Sequence, residues 1–240
     1  MRLDKLIEQE LQTSRKAMKR LFATGVVKVD GEICRNPSQN VESQLQQITV
    51  GTHKLITNEK YWIMNKPAGY VTANHDQHSL TVFDLLAPAD QSANLYAVGR
   101  LDRDTQGLVF VTTNGPLGYA LLHPTKKVEK MYEVWVNDQL TQEDVAAFAK
   151  GIVFHGGIHC QPAILKLGEC TADKSQAWVT ITEGKFHQVK KMFLACGKKV
   201  IHLKRLTLGP IRLGDLALGD YRALTSDELE QLRPYFGGEA

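Results

Sequence analysis

Gly99-Arg100-Leu101-Asp102-Arg103-Asp104-Thr105-Gln106-Gly107-Leu108 is a loop of alternating charge set between two apolar runs, Leu95 to Val98 and Leu108 to Val111. Both runs read as short buried strands. Gly99 and Gly107 bracket the loop, and glycine serves where a backbone turns sharply or another chain approaches closely. Asp102 is thereby held between two rigid elements. Residue chemistry alone makes such a loop a solvated, ion-paired surface connection worth under about 1 kcal/mol.

Around this loop the chain has the composition of an ordinary soluble protein, 43% apolar and 23% charged, and 240 residues suffice for one sizeable core or a small module plus a medium one. No apolar run approaches the roughly 18 to 20 residues that span a bilayer, and Met1-Arg2-Leu3-Asp4-Lys5 lacks the apolar core of a signal peptide. A cytoplasmic protein is expected. The four cysteines, Cys34, Cys160, Cys170 and Cys196, are scattered without a C-x-x-C pair, so reduced and mostly buried thiols are expected. His155 and His159 have an i, i+4 spacing, but Gly156-Gly157 between them predicts a hairpin and no metal site. Residues 1 to 57 carry nine Lys+Arg against six Asp+Glu, and the remainder is balanced at twenty each. The whole basic excess therefore sits at the N-terminus.

Leu3, Leu6, Ile7 and Leu11 fall at helical spacing and predict an amphipathic helix over Met1 to Leu11. Ser14 can cap a second helix, Arg15 to Phe22, with Ala17, Met18, Leu21 and Phe22 inward and Arg15, Lys16, Lys19 and Arg20 outward. Two short strands, Val26 to Val29 and Glu32 to Cys34, flank Asp30-Gly31, a strong signal for a type I′ hairpin. A solvated face is the plain account of four basic residues on one helix. The order helix, basic helix, V-x-V-D-G-E over about the first fifty residues nevertheless resembles the alpha-L RNA-binding module of a small-subunit ribosomal protein. That resemblance implies that Arg15, Lys16, Lys19 and Arg20 dock on RNA phosphates. Leu45 to Val50 closes this small sheet, and Gly51 to Glu59 reads as a polar linker.

Tyr61 to Lys66 predicts the first strand of a second domain, stopped by Pro67 and Gly69. A short helix follows over Asn114 to Leu122, and Glu129 to Val136 alternates as a strand carrying Tyr132. Thr141 with Asp144 opens a helix to Lys150 through a capping pattern. Ile152 to Leu167 looks like paired strands and Ala177 to Thr182 like another. A helix ends at Cys196-Gly197, Val200 to Leu208 is a core strand, and Thr225 with Glu228 caps a last helix to Leu232. Without a regular βαβ rhythm, the larger domain is expected to be α+β with a mixed, largely antiparallel sheet flanked by helices.

Four strings in this domain, Lys66-Pro67-Ala68-Gly69, the Asp102 loop, Lys130-Met131-Tyr132 and Glu183-Gly184-Lys185-Phe186-His187-Gln188-Val189-Lys190-Lys191-Met192, resemble the motifs of the pseudouridine synthases that act on structured RNA. The loop matches that family's G-R-L-D-x-x-T-x-G-L signature. With the N-terminal module, the chain is similar to the RsuA-type branch, whose members modify ribosomal RNA. The resemblance implies a catalytic aspartate at Asp102, a ring against the target base at Tyr132, and a basic partner for the aspartate at Lys190. Arg100 would be a wedge or phosphate anchor and Leu203 a wall of the base pocket. Lys66, Lys185, His187 and Gln188 would bind substrate. Lysine at 190, where many synthases carry arginine, departs from the wider superfamily and loses bidentate pairing. Between Lys185 and Arg205 there are seven basic residues and no acidic one, which fits a phosphate-lined cleft.

The implied reaction breaks the bond between ribose C1′ and uracil N1, rotates the base and rejoins it through C5. One carboxylate near the sugar is needed, and a cation such as Lys190 offsets the cost of drying it. The nucleotide must leave its stack to reach it. No oxidation state changes, so no cofactor or metal is implied. The expected organisation is an RNA-binding module over residues 1–57 and a catalytic domain over 58–240. The expected substrate is a specific uridine of small-subunit ribosomal RNA, within an assembly intermediate, acted on by a monomer. G-K-F-H-Q-V-K-K-M-F favours the small-subunit enzyme of the branch. A large-subunit enzyme of the same branch, or a non-catalytic RNA-binding assembly factor, are the alternatives.

Overall fold

Helix α1, Leu3–Leu11, buries Leu3, Leu6 and Ile7 along one face and stops where Gln12 turns left-handed at φ 48°. Ser14 then caps helix α2, Arg15–Thr24, its hydroxyl accepting from the Ala17 amide at 3.3 Å, and Gly25 ends it at φ 72°. Phe22 is the buried residue of α2, with Met18 and Leu21 packed partly behind it, whereas Ala17, expected inward, is exposed. The next strands are β1, Val27–Val29, and β2, Glu32–Ile33. Asp30 and Gly31 between them both have positive φ, 53° and 86°, as a type I′ turn requires. β1 also pairs antiparallel with β3, Ile48–Val50, and β3 with β4, His53–Leu55, giving the order β2-β1-β3-β4. β4 corrects the expectation of a linker over 51–59. Gly51 turns the chain at φ 59°, and Leu55 is 2% exposed in the core beneath the otherwise polar strand.

The computed structural model describes residues 1–154 and 156–236. Beyond the small sheet the strands are β5, Tyr61–Lys66; β6, Tyr96–Val98; β7, Gln106–Thr112; β8, Lys130–Val136; β9, Ile164–Cys170; β10, Ser175–Ile181; β11, Val200–Leu208; β12, Ile211–Arg212; and β13, Tyr221–Ala223. Their order is β13-β5-β7-β11-β8-β10-β9, with β6 beside β7 and β12 beside β11. β8, β10, β9 and β11 pair antiparallel, and β11 runs parallel to β7. The sheet is thus mixed and the fold α+β, as expected. The helices are α3, Gly115–Leu122; α4, Gln142–Lys150; α5, Gln188–Ala195; and α6, Ser226–Gln231. Thr141 with Asp144 and Thr225 with Glu228 form the capping boxes of α4 and α6.

The paired strands expected within 152–167 are only partly there. A bridge from Val153 to His159, and a bond from the Phe154 amide to the Ile158 carbonyl, close a tight turn, but β9 starts at Ile164 and pairs forward with β10. His155 lies outside the described residues. Cys34 and Cys160 are buried, Cys170 and Cys196 half-buried, and all four are unbridged. Among the described residues no helix is long and apolar enough to cross a membrane.

Contacts divide the chain into two compact units. One comprises Met1–Trp62, Thr112–Leu121 and Ala223–Ala240; the other comprises Ile63–Val111 and Leu122–Arg222. In the first, Glu42 is wholly buried and accepts hydrogen bonds from the hydroxyls of Thr57 and Tyr61 and, at 3.1 Å, from the Gln44 amide. Burial, then the Glu42 charge, push the Tyr61 phenol far above its ordinary value. The second unit contains the Asp102 loop. There Gly107 has φ 102°, and a Cβ on it would lie 2.2 Å from the Arg205 carbonyl oxygen. Only glycine lets β7 lie this close to β11, and this pairing sets where the loop begins its return.

Candidate active site

The loop carrying Asp102 is held from below by three local devices. The Asp102 carbonyl accepts from the Thr105 amide at 3.1 Å, which closes a turn over residues 102–105. The Thr72 hydroxyl accepts from the Leu101 amide at 3.0 Å and donates to the Leu101 carbonyl at 2.8 Å, pinning the residue before the aspartate. From the turn after β5, the Gly69 amide donates to Arg103 O at 2.8 Å and Arg103 Nε returns a bond to Gly69 O at 3.1 Å.

Lys66 completes the grip, and here an expectation is corrected. It does not face substrate: the residue is fully buried, and its ammonium donates to the carbonyls of Thr105 at 2.7 Å, Pro67 at 3.0 Å and Arg103 at 3.2 Å. These three acceptors match the three N–H groups of a lysine. Burial pushes its pKa down to about 8, against the pull of Asp104 and Asp102. Lys66 is an internal staple between its own turn and the Asp102 loop.

Opposite the loop, α5 starts at an unusual residue. His187 precedes it with φ 53° and ψ 33°, the left-handed region, which costs a side chain with a Cβ about 1 kcal/mol or more. The Gln188 side chain accepts from the Lys185 amide at 2.8 Å and donates to Glu183 at 2.7 Å, tying the turn to the helix start. Val189, Met192 and Phe193 bury one face of α5. Lys190 is thereby turned toward the loop, where its ammonium lies 2.8 Å from Asp102 Oδ2 and 2.5 Å from Asp104 Oδ1. Burial works against this ammonium, but the bonds to Asp102 and Asp104 outweigh it and raise its pKa above the ordinary lysine value. Asp104 is 75% exposed, and although burial opposes it, the Lys190 bond holds its carboxyl below the usual range. His187 Nε2 stands 3.5 Å from Asp102 Oδ1.

Between loop and helix lies a solvent-open cleft. Asp102, Lys190, Tyr132 and Leu203 all line it, together with Arg100, Lys185, His187 and Gln188. Tyr132 and Leu203 are each 7% exposed, on neighbouring strands β8 and β11, so the cleft has an apolar and aromatic wall facing an ion-paired carboxylate. Arg100 is exposed and makes no ion pair with Asp102 or Asp104 among the described residues; Lys190 holds both acids instead. Lys185 is paired with Glu183, and Gln188 is 4% exposed and serves the turn. Arg15, Lys16, Lys19 and Arg20 lie exposed along α2, in the other compact unit.

Four of the seven cations in the basic run from Lys185 to Arg205 are taken up within the protein rather than left free for phosphate. Lys185, Lys190 and Lys198 are ion-paired to Glu183, to Asp102 and Asp104, and to Asp144. Arg205 is 1% exposed, with Nε donating to Leu108 O at 2.7 Å. Sequence counting cannot tell a cation inside the protein from one at its surface. Arg205, which braces the loop, was read only as part of the basic run, and Thr72, which pins it, carries no local signal and escaped the sequence reading. So did Phe186, 72% exposed beside His187.

Comparison with known proteins fits this geometry. Residues 60–195 match the family described as RNA pseudouridylate synthase, and residues 1–46 match the S4 domain. The chain is 38% identical to the uncharacterized RNA pseudouridine synthase YtzG of Bacillus subtilis (strain 168), over 97% of this chain and 98% of that one. It is 36% identical to the ribosomal small subunit pseudouridine synthase A of Escherichia coli (strain K12), over 95% and 98%. A solved structure titled as a crystal structure of pseudouridylate synthase superimposes with a TM-score of 0.68 at 33% identity, covering 97% of this chain and 99% of that one.

Proposed function

The chain belongs to the RNA pseudouridylate synthase family, and we propose that it isomerises one uridine of small-subunit ribosomal RNA, with Asp102 as the catalytic carboxylate. The observation that carries this is the Asp102–Lys190 pair, 2.8 Å apart, in an open cleft walled by Tyr132 and Leu203. A flipped uridine presents a flat base and a ribose to such a site. The Tyr132 ring and Leu203 receive the base, and Asp102 meets the sugar. The Lys190 ammonium balances the carboxylate charge once the entering nucleotide has displaced water from the cleft. The C1′–N1 bond breaks, the base turns, and a C1′–C5 bond forms; C5 loses its proton and N1 gains one, so the step is redox-neutral. Arg100, exposed at the cleft and unpaired with the loop acids, is suited to a backbone phosphate or to the space the base vacates.

The target is supported by the relative named for the small ribosomal subunit, which matches along almost the full length of both chains. RNA affinity is assigned to a module over residues 1–57, with Arg15, Lys16, Lys19 and Arg20 on phosphates, and chemistry to residues 58–240. The enzyme acts as a cytoplasmic monomer on an assembly intermediate of the small subunit. The test is tritium release from small-subunit ribosomal RNA carrying 5-tritiated uridine. Asp102→Asn is expected to abolish release while RNA affinity stays within about twofold. Wild-type turnover by the variant removes Asp102 from the mechanism, and release confined to large-subunit RNA reassigns the target.

A further inference from the structure

Phe186 is the most exposed large hydrophobic side chain among the described residues, at 72%. It is not an isolated surface residue. Its ring stacks on the His187 imidazole with centroids 3.7 Å apart and planes 22° from parallel, the spacing of stacked flat rings. His187 is held there by its left-handed backbone at the start of α5, and its Nε2 is 3.5 Å from the Asp102 carboxylate. The row Asp102, His187, Phe186 therefore runs out of the cleft floor to the rim, one ring beyond the site of chemistry. The Lys191 ammonium lies 4.9 Å from the Phe186 ring centroid and has no carboxylate partner among the described residues, unlike its neighbour Lys190.

We propose that Phe186, backed by His187, is a stacking platform for a single unpaired nucleobase, that of the nucleotide next to the one in the cleft, with Lys191 meeting the adjoining phosphate. The inference rests on the RNA-isomerising function proposed above. A solvent-facing aromatic ring beside an unpaired cation is the combination that holds single-stranded RNA, because every base offers a π-face and every linkage an anion. An aliphatic partner surface would not call for parallel rings or a cation. When the base arrives, the flexible lysine leaves the ring for the phosphate. A nucleotide swung into the cleft pulls its neighbour out of the helical stack, and the platform replaces the stacking that neighbour loses.

The experiment compares Phe186→Ala, Phe186→Leu and Phe186→Tyr in the full chain, using tritium release from a 5-tritiated small-subunit ribosomal RNA transcript and filter binding to the same transcript. Base stacking is worth roughly 1 to 3 kcal/mol, so KM for Phe186→Ala and Phe186→Leu should rise about 5- to 150-fold. Their kcat should stay within about twofold, and Phe186→Tyr should behave as wild type, as the shared π-face requires. Unchanged melting temperatures are expected at so exposed a position. Wild-type KM in Phe186→Ala overturns the platform, and wild-type KM in Phe186→Leu replaces stacking by mere apolar contact and overturns it equally. If wild type itself releases no tritium, the proposed function fails separately. Filter binding then decides the platform: affinity equal to wild type in Phe186→Ala and Phe186→Leu refutes it, and weakened affinity in both supports it.

Discussion

Replacing Lys66 by methionine removes the staple under the Asp102 loop while keeping an unbranched side chain of similar size in β5. The carbonyls of Thr105 and Pro67 lose their ammonium donor, whereas Arg103 O keeps the Gly69 amide. The orphaned buried carbonyl of Thr105 costs about 1 to 3 kcal/mol, and that of half-buried Pro67 costs less. Against this, a buried ammonium with a pKa near 8 in place of 10.5 itself costs the folded state about 3 kcal/mol at neutral pH, which the substitution returns. The two largely offset, so stability at pH 7 should fall by no more than about 3 kcal/mol. Activity should fall much further: an ångström of freedom at Asp102 is enough for about a 100-fold loss in kcat. The pH dependence has a definite sign. Between about 8 and 10.5 the unfolded chain keeps the Lys66 proton and the folded chain does not, so wild-type stability gains as pH rises through that window. Methionine lacks the gain, and the gap between the two proteins should widen by about 3 kcal/mol toward pH 10. Lys130, also pushed down to about 8 by burial, is common to both and cancels. Urea unfolding at pH 7 and pH 10, beside tritium release at pH 7, measures both effects. A folded variant with kcat within threefold of wild type, or a gap that does not change with pH, would refute the staple.

Gly107→Ala forces a Cβ to within 2.2 Å of Arg205 O at φ 102°, and should cost at least about 3 kcal/mol, seen as a melting-temperature drop of roughly 6 to 12 °C. An unchanged melting curve would mean that β7 and β11 are not so closely apposed. Glu42→Ala leaves the hydroxyls of Thr57 and Tyr61 without their buried acceptor and should cost about 3 kcal/mol in chemical denaturation; a loss under about 0.5 kcal/mol counts against the network. Alanine at Arg15, Lys16, Lys19 or Arg20 should each lower the log–log salt slope of ribosomal RNA binding by about 0.7 to 0.9. Slopes that stay at the wild-type value would show that α2 does not face the phosphates.

The elements were legible wherever the signal is local. Ser14 and Thr141 cap the helices they precede, Asp30-Gly31 turns as its positive φ demands, and the alternation of residues 130–136 is a strand with Tyr132 inward. Reading failed at β4, whose polar residues His53 and Lys54 hide an edge strand anchored by Leu55 alone. It failed again over 152–167, where alternation does not reveal which strand is the partner.

By itself the sequence determined that an aspartate stands in a glycine-bracketed loop between strands, that a basic helix precedes a type I′ hairpin, and which aromatic and cationic residues accompany them. These follow from backbone preferences and periodicity, which act over a few residues. Tertiary structure alone decided which cation does what. Lys66 and Lys190 are the same side chain in sequence, yet the first is sealed under the loop against carbonyls 37 and 39 residues away and the second reaches Asp102, far back along the chain, in an open cleft. The charge of an ammonium is intrinsic, but its role depends on desolvation and on the acceptors that surround it, and most of those come from long-range packing.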